Sequence, residues 1–367
     1  MGSPDLEDES ALESQPADEA GGRRTADGPA SPLFTPLPFA GNCTLAELER
    51  SSLSRAMREN VRQAPAGDCV CWGIPFRVDK VALARTAPVE LKWPQARAAW
   101  LVFMHTSDMA APAADAHGFA LLRERVADYV VLYADGAEVR VPVLRQHHIG
   151  MVTRPWGVNC FEAVAHRKPH PVRTLTEQPR SGAPWGQSQF RLRQPDMLPW
   201  INWLWAWKNP HPAKNVAGLR IEPASGAIVL SAITAGRTES IPLRWESRRK
   251  AILRLPDGAA FDQAHSENGL LKHVQLDLGQ VISALPRTIY PAGSWEQSYN
   301  NQPPERSNRE LLVEYTSHPD ALFHLEGGAT VSVSSVAGTG AGPLIRVERA
   351  SRRVRLRVTG RASGKAV

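Results

Sequence analysis

Short segments of strand length, separated by turn residues, run through most of this chain, and helical periodicity is scarce. Residues 98–105 form a continuous apolar run, which is typical of a central strand buried on both faces. Residues 128–133 and 137–143 flank Ala134-Asp135-Gly136, and Asp-Gly supplies the positive φ that a tight hairpin turn needs. Further strands are predicted at 74–81, 200–207, 216–221, 228–233, 251–255, 271–278, 281–285, 311–315, 330–336, 344–347 and 354–358. The pattern predicts an all-β fold.

The order of these segments predicts two β-modules behind a disordered tail. Residues 1–32 hold eight acidic and two basic residues and few large apolar side chains, so we expect a disordered acidic tail. We expect a jelly-roll β-sandwich over residues 33–245 and a second, smaller β-module over 246–367, truncated at its C-terminal end. One helix is predicted from 44 to about 61, because Thr44 and Glu47 have capping-box spacing.

Charge and hydropathy narrow the setting of the protein. No apolar run of the 367 residues reaches the roughly 18 needed for a membrane helix, and the acidic start does not resemble a signal peptide. We therefore expect a cytoplasmic protein without a membrane partner. The net charge is +6, but 35 of the 43 basic residues are dispersed arginines without aromatic RNA-binding motifs nearby. A nucleic-acid partner is not expected.

The sequence shows no catalytic set and no metal-ligand spacing. His147 and His148 are adjacent, so in a strand they would point to opposite faces. His166 and His170 have i,i+4 spacing, but the prolines around His170 disfavour a helix. The Cys-x-Cys at 69–71 lacks zinc-site spacing and is interpreted as two small buried residues; a G-x-S-x-G motif is missing. We predict no catalytic residue, metal ligand or cofactor in this chain.

Tryptophans are the candidate ligand-binding residues. Trp203, Trp205 and Trp207 share one face of a predicted strand, and Trp156 and Trp185 lie in Pro/Gly-rich segments. Flat rings can stack on the CH surface of a sugar or on an aromatic small molecule. The same spacing also fits the core of a sandwich, so the strand row has two interpretations, and the loop tryptophans are the better ligand candidates.

Two groups of motifs resemble known families. Ile74-Pro75-Phe76, residues 101–106, Tyr133-Ala134-Asp135-Gly136 and residues 205–212, in this order, resemble galactose-binding-like jelly rolls attached to bacterial hydrolases. Residues 274–279, 313–321 and 359–367 resemble the non-catalytic leading region of carbaryl-hydrolase-like (CehA/McbA-type) metallohydrolases. The resemblance implies that a PHP-type domain with a divalent metal performs ester or amide hydrolysis. That domain's H-x-H ligand pair does not occur in this sequence, so the resemblance transfers no catalytic residue.

The resulting expectation is a non-catalytic β-sandwich region that acts as a structural or substrate-access scaffold for a metal-dependent hydrolase. Its partner would be the hydrolase domain or a second copy of the chain. The alternative is a free-standing carbohydrate-binding module that uses the loop tryptophans. A third hypothesis is an enzyme whose site is assembled from dispersed residues.

Overall fold

A computed structural model describes residues 25–108, 122–153, 159–168, 199–255, 271, 274–289, 305–325, 328–337 and 347–349. These residues lie mostly in antiparallel strands, which confirms the all-β prediction. They divide into two compact units, with the division between Arg244 and Trp245. None of the described helices is long and apolar enough to cross a bilayer.

The first unit contains twelve of the described strands and three short helical segments. The strands are β1 Phe34–Pro36, β2 Gly67–Cys71, β3 Ile74–Val78, β4 Ala82–Ala84, β5 Val89–Arg97, β6 Trp100–Asp108, β7 Arg125–Tyr133, β8 Glu138–Leu144, β9 Ala163–Ala165, β10 Trp203–Lys208, β11 Asn215–Pro223 and β12 Ala227–Gly236. The helices are α1 Leu45–Glu49 and α2 Arg55–Asn60, followed by a 3₁₀ turn Val61–Gln63.

Two antiparallel sheets of the first unit pack face to face. One sheet has the order β1-β12-β6-β10-β9, with β4 also paired to β12, and the other has the order β5-β11-β7-β8. One cluster of buried side chains joins them; it includes Phe103 of β6 and Trp205 of β10 on one side and Tyr129 of β7 and Leu219 of β11 on the other. This is the layout of a β-sandwich.

The second face of the larger sheet is also covered. Every residue of β6 and β12 is buried, so both strands have neighbours on both faces. The β2–β3 hairpin contributes to this cover, and Thr234 of β12 donates its hydroxyl to the Pro75 carbonyl at 2.6 Å. The sequence prediction of a central strand at 98–105 is confirmed by β6.

Residues 25–32, which composition assigned to the disordered tail, instead pack on this hairpin. The backbone of Asp27 donates to Val70 O at 3.0 Å, and Ser31 N donates to Gly73 O at 2.7 Å. The buried Asp27 carboxylate accepts hydrogen bonds from the backbone N–H groups of Trp72 and Lys168. Tertiary backbone bonds therefore order a segment that is too polar to be recognised from composition. Residues 1–24 lie outside the described residues.

The predicted capping box is present, but the single helix is not. Thr44 Oγ1 accepts from Glu47 N at 3.2 Å, and the Glu47 carboxylate accepts from Thr44 N at 2.7 Å. The chain leaves α1 at Arg50, and Ser54 begins α2 as a new N-cap whose side chain accepts from Met57 N. Serines at 51, 52 and 54 favour caps and turns over helix interiors, which explains the break.

The 128–143 hairpin prediction is confirmed by the pairing of β7 with β8. Gly136 has φ +85°, and its N–H donates to Tyr133 O at 3.0 Å. On the outer face of this sheet, Val130 is cross-strand neighbour to Arg140 and Arg220 and is buried. Arg140 and Arg220 both form ion pairs with Glu222, so charged side chains cover this outer face.

The second unit consists of β13 Arg249–Arg254, β14 Val274–Leu276, β15 Gly279–Ile289, β16 Glu305–Ser317, β17 Leu322–Leu325, β18 Thr330–Ser332, α3 Val333–Ala337 and β19 Val347–Arg349. Its sheets have the orders β15-β16-β13-β19 and β14-β17-β18. The strand predicted at 330–336 is only three residues long and continues as α3. Of the segments predicted at 344–347 and 354–358, residues 344–346 and the whole of 354–358 lie outside the described residues.

Candidate functional site

The strand tryptophans lie in the core of the first sandwich. Trp203 is 1 % exposed and Trp205 is 3 % exposed, and both belong to the cluster between the two sheets. Trp207 is half-buried and packs against the same cluster. Trp203 and Trp205 are therefore core residues, because neither ring has a face exposed to solvent on which a sugar could stack.

The two loop tryptophans, Trp156 and Trp185, lie outside the described residues. The structure therefore brings together three of the five predicted ligand-binding residues, on strand β10, and joins them to the sandwich core.

A stack of aromatic rings surrounds Trp205. The centre of its ring lies 5.5 Å from the ring centre of Phe103, with an interplanar angle of 27°. The corresponding values for His105 are 6.2 Å and 9°. His148 stacks on it at 4.3 Å and 17°. The stack runs from the sandwich core to the turn that follows β8.

His105 is fully buried, and both of its ring nitrogens have partners. Nδ1 lies 2.8 Å from the Tyr129 hydroxyl, and Nε2 lies 2.9 Å from the His148 carbonyl oxygen. Since a carbonyl can only accept, Nε2 carries the proton and Nδ1 accepts from Tyr129. Burial lowers the pKa of His105 to about 3, so the imidazole is neutral at physiological pH. Both ring nitrogens therefore form hydrogen bonds within the core of the sandwich.

His147 and His148 lie in a turn and not in a strand, the case that was considered from the sequence. Their backbone N–H groups both donate to Leu144 O, and Gln146 N donates to Ile149 O. The two rings are 6.2 Å apart at 79°. The His148 Nε2 lies 3.6 Å from a carboxylate oxygen of Glu162, while burial lowers the pKa of His148. The sequence signal for this turn is weak because it contains neither Gly nor Pro.

An ion pair between a buried arginine and a half-buried glutamate anchors the same turn. Arg145 is almost fully buried, donates from Nε to Glu124 Oε2 at 2.7 Å and from Nη1 to Ser107 Oγ at 3.0 Å. Gln146 beside it and Arg123 beside Glu124 both have positive φ, at 58° and 66°. A non-glycine residue with a positive φ persists only where the surrounding structure holds its backbone in place. Spacing in the sequence did not indicate this pair, since its members come from separate segments.

Phe161 and Glu162, which are exposed to solvent, lie beside the turn. Phe161 is 68 % exposed, and its ring lies 4.9 Å from that of His147. Phe161 N donates to Gln146 O, and Glu162 N donates to His147 O, each at 2.9 Å. No motif or spacing in the sequence singles out Phe161 or Glu162.

In the second unit, a backbone hydrogen bond joins two of the three segments that carry the metallohydrolase resemblance, 274–279 and 313–321, and the buried Asp277 carboxylate lies beside it. Asp277 Oδ1 accepts from Leu278 N at 2.6 Å and from Leu322 N at 2.7 Å. His318 N donates to Leu278 O at 2.8 Å, and the His318 Nδ1 accepts from Asp320 N at 3.1 Å. Asp277 therefore connects the β14–β15 turn to the β16–β17 turn by hydrogen bonds.

The remaining histidine and cysteine candidates also have structural surroundings. His166 is buried, its Nδ1 accepts from Asn202 N at 3.2 Å, and burial lowers its pKa to about 4. Its predicted companion His170 lies outside the described residues. Cys69 and Cys71 are buried on β2, as the small-residue interpretation predicted, and burial raises the pKa of Cys71. Within the described ranges, no three His, Cys, Asp or Glu side chains are grouped so that they could hold a metal ion.

Comparison with known proteins identifies no family for this chain. No family model matches its sequence, and no curated protein matches it.

Replacement of Trp205 by Ala tests the core interpretation of the tryptophan row. Trp205 fills the space between two sheets, so Trp205→Ala is expected to lower the free energy of unfolding by about 3–5 kcal/mol in urea titrations. Trp207→Ala, on the same strand face but half-buried, is the matched control and should cost clearly less. Equal losses for the two variants would contradict the assignment.

Acid stability tests the state of His105. Its folded pKa of about 3 lies below the ordinary value of 6.5, so the unfolded state binds the proton more readily. The stability that neutral His105 provides is complete above pH 6.5 and is lost as the pH falls towards 3, on the order of 4 kcal/mol. His105→Gln is expected to be less stable at pH 7 but to have a flatter stability profile between pH 6.5 and 3. The measurement is denaturant unfolding across that range, and parallel profiles would count against the assignment.

Proposed function

We propose that this chain is a non-catalytic β-sandwich scaffold for a metal-dependent hydrolase, and that a separate PHP-type domain carries out the ester or amide hydrolysis. The observation that carries the proposal is how the buried ionisable side chains are used. Five such residues bind backbone atoms or neighbouring side chains that hold the fold: Asp27, His105, Arg145, His166 and Asp277.

The first unit supplies the clearest support. A general base needs a nitrogen or oxygen within reach of a substrate proton. His105 has both nitrogens engaged and a pKa of about 3, and His166 accepts a backbone N–H. Arg145 is paired with Glu124, so its charge is already compensated. These contacts serve the stability of the sandwich, which supports a non-catalytic role for the groups that make them.

The second unit supports the choice of hydrolase. The segments 274–279 and 313–321, which resemble the leading region of carbaryl-hydrolase-like enzymes, are joined by the hydrogen bond from His318 N to Leu278 O. Asp277 binds Leu322 N, immediately after the second segment. Asp277 Oδ1 and His318 Nδ1 accept hydrogen bonds from backbone N–H groups, as expected for a framework. The divalent metal belongs, in this proposal, to the hydrolase domain, and no residue of this chain is assigned to it.

Hydrolase assays of the purified full-length chain test the non-catalytic part. Hydrolysis of 4-nitrophenyl acetate and of a 4-nitroanilide is measured with Zn²⁺, with Mn²⁺ and after treatment with a chelator. We expect rates equal to those of buffer with the same metal. Turnover that co-elutes with the protein and exceeds the buffer rate would contradict the proposal, whether or not the chelator abolishes it.

The partner part has its own test. The coding DNA on either side of this chain is read for a PHP-type domain with an H-x-H ligand pair, and that domain is purified. Addition of the chain is expected to raise the Tm of the domain or to lower its KM for an ester. Absence of such a domain, or no change in either quantity on mixing, would contradict the scaffold role.

A further inference from the structure

Strands β6 and β10 separate at one end of the first sandwich. Their pairing ends at His105 and Trp203. Beyond that pair, Ser107 N donates to Gly150 O at 3.0 Å, and Ile201 N donates to Val152 O at 2.9 Å. Residues 150–152 therefore lie between the two strands, and we call this point the β6–β10 fork.

Thr106 and Asn202 are the first residues of the fork. Since side chains alternate along a strand and Phe103 faces the other sheet, Thr106 points to the opposite face of its sheet. Asn202 precedes β10, and its neighbours Ile201 and Trp203 both belong to the cluster between the sheets, so Asn202 points to the opposite face too. Both residues are 0 % exposed.

Each of the two side chains has one polar atom without a protein partner in the described part of the chain: Thr106 Oγ1 and Asn202 Nδ2. The orientation of the amide is fixed, because the Trp200 indole N–H can only donate and lies 3.3 Å from Asn202 Oδ1. Buried polar groups without a partner are rare in folded proteins, and ordered water commonly supplies the partner.

We propose that the β6–β10 fork binds one buried water molecule between Thr106 Oγ1 and Asn202 Nδ2. The chemistry of these two atoms favours water over an ion. Asn202 Nδ2 only donates, so its partner must accept, which excludes a metal cation or an ammonium ion. An anion would need a compensating positive charge, and the two side chains at the fork are neutral. Water accepts from the amide and can donate to, or accept from, the hydroxyl.

The experiment is solution NMR of the ¹⁵N-labelled full-length chain. A long-lived water should give a cross-relaxation peak with the Asn202 side-chain amide protons. Thr106→Val replaces the hydroxyl by a methyl group of similar size, and this variant should lose the peak and have a Tm lower by about 2–4 °C. Thr106→Ser keeps the hydroxyl and should keep the peak.

Thr234→Val is the matched control, because the buried Thr234 hydroxyl already donates to Pro75 O at 2.6 Å. It should lower the Tm while leaving the water peak of Asn202 unchanged. Absence of the peak in the wild-type protein overturns the proposal, whatever the Tm values are. A peak that persists unchanged in Thr106→Val overturns it as well.

Discussion

The burial of β6 and β12 on both faces is the constraint on which the first unit depends. A strand without a solvent-facing side needs cover above and below, and its polar side chains must find partners inside the protein. The sheet β5-β11-β7-β8 covers one face. The β2–β3 hairpin contributes to the cover of the other face, and residues 25–32 bind that hairpin through backbone hydrogen bonds. His105, in the middle of β6, meets the constraint as a neutral imidazole bonded at both nitrogens.

The same constraint explains the end of the sandwich that follows β8. The His148 carbonyl oxygen accepts a hydrogen bond from His105 Nε2, and the His148 ring stacks on Trp205. These two contacts fix the turn to the core. The buried Arg145 and the half-buried Glu124 add an ion pair beside two residues with positive φ. These contacts hold the 144–149 turn against the core, which agrees with the proposed scaffold role.

Several elements were predictable because their signals are local. The apolar run of β6, the Asp-Gly turn between β7 and β8 and the Thr44–Glu47 capping box each depend on residues close in sequence. The tryptophan row of β10 was different. A period of two fits a binding platform and a sandwich core equally, and only the presence of the facing sheet places Trp205 inside. Asp27, Arg145 and Asp277 were missed because their partners are distant in the chain.

The ¹⁵N chemical shifts of His105, followed by pH titration of the imidazole-labelled protein, test the central claim that the buried ionisable groups serve the fold. A structural His105 is neutral, protonated at Nε2, and keeps constant shifts from pH 8 to about pH 4. Titration near pH 6.5, or a proton on Nδ1, would mean that the ring is accessible and differently bonded, and it would contradict the account.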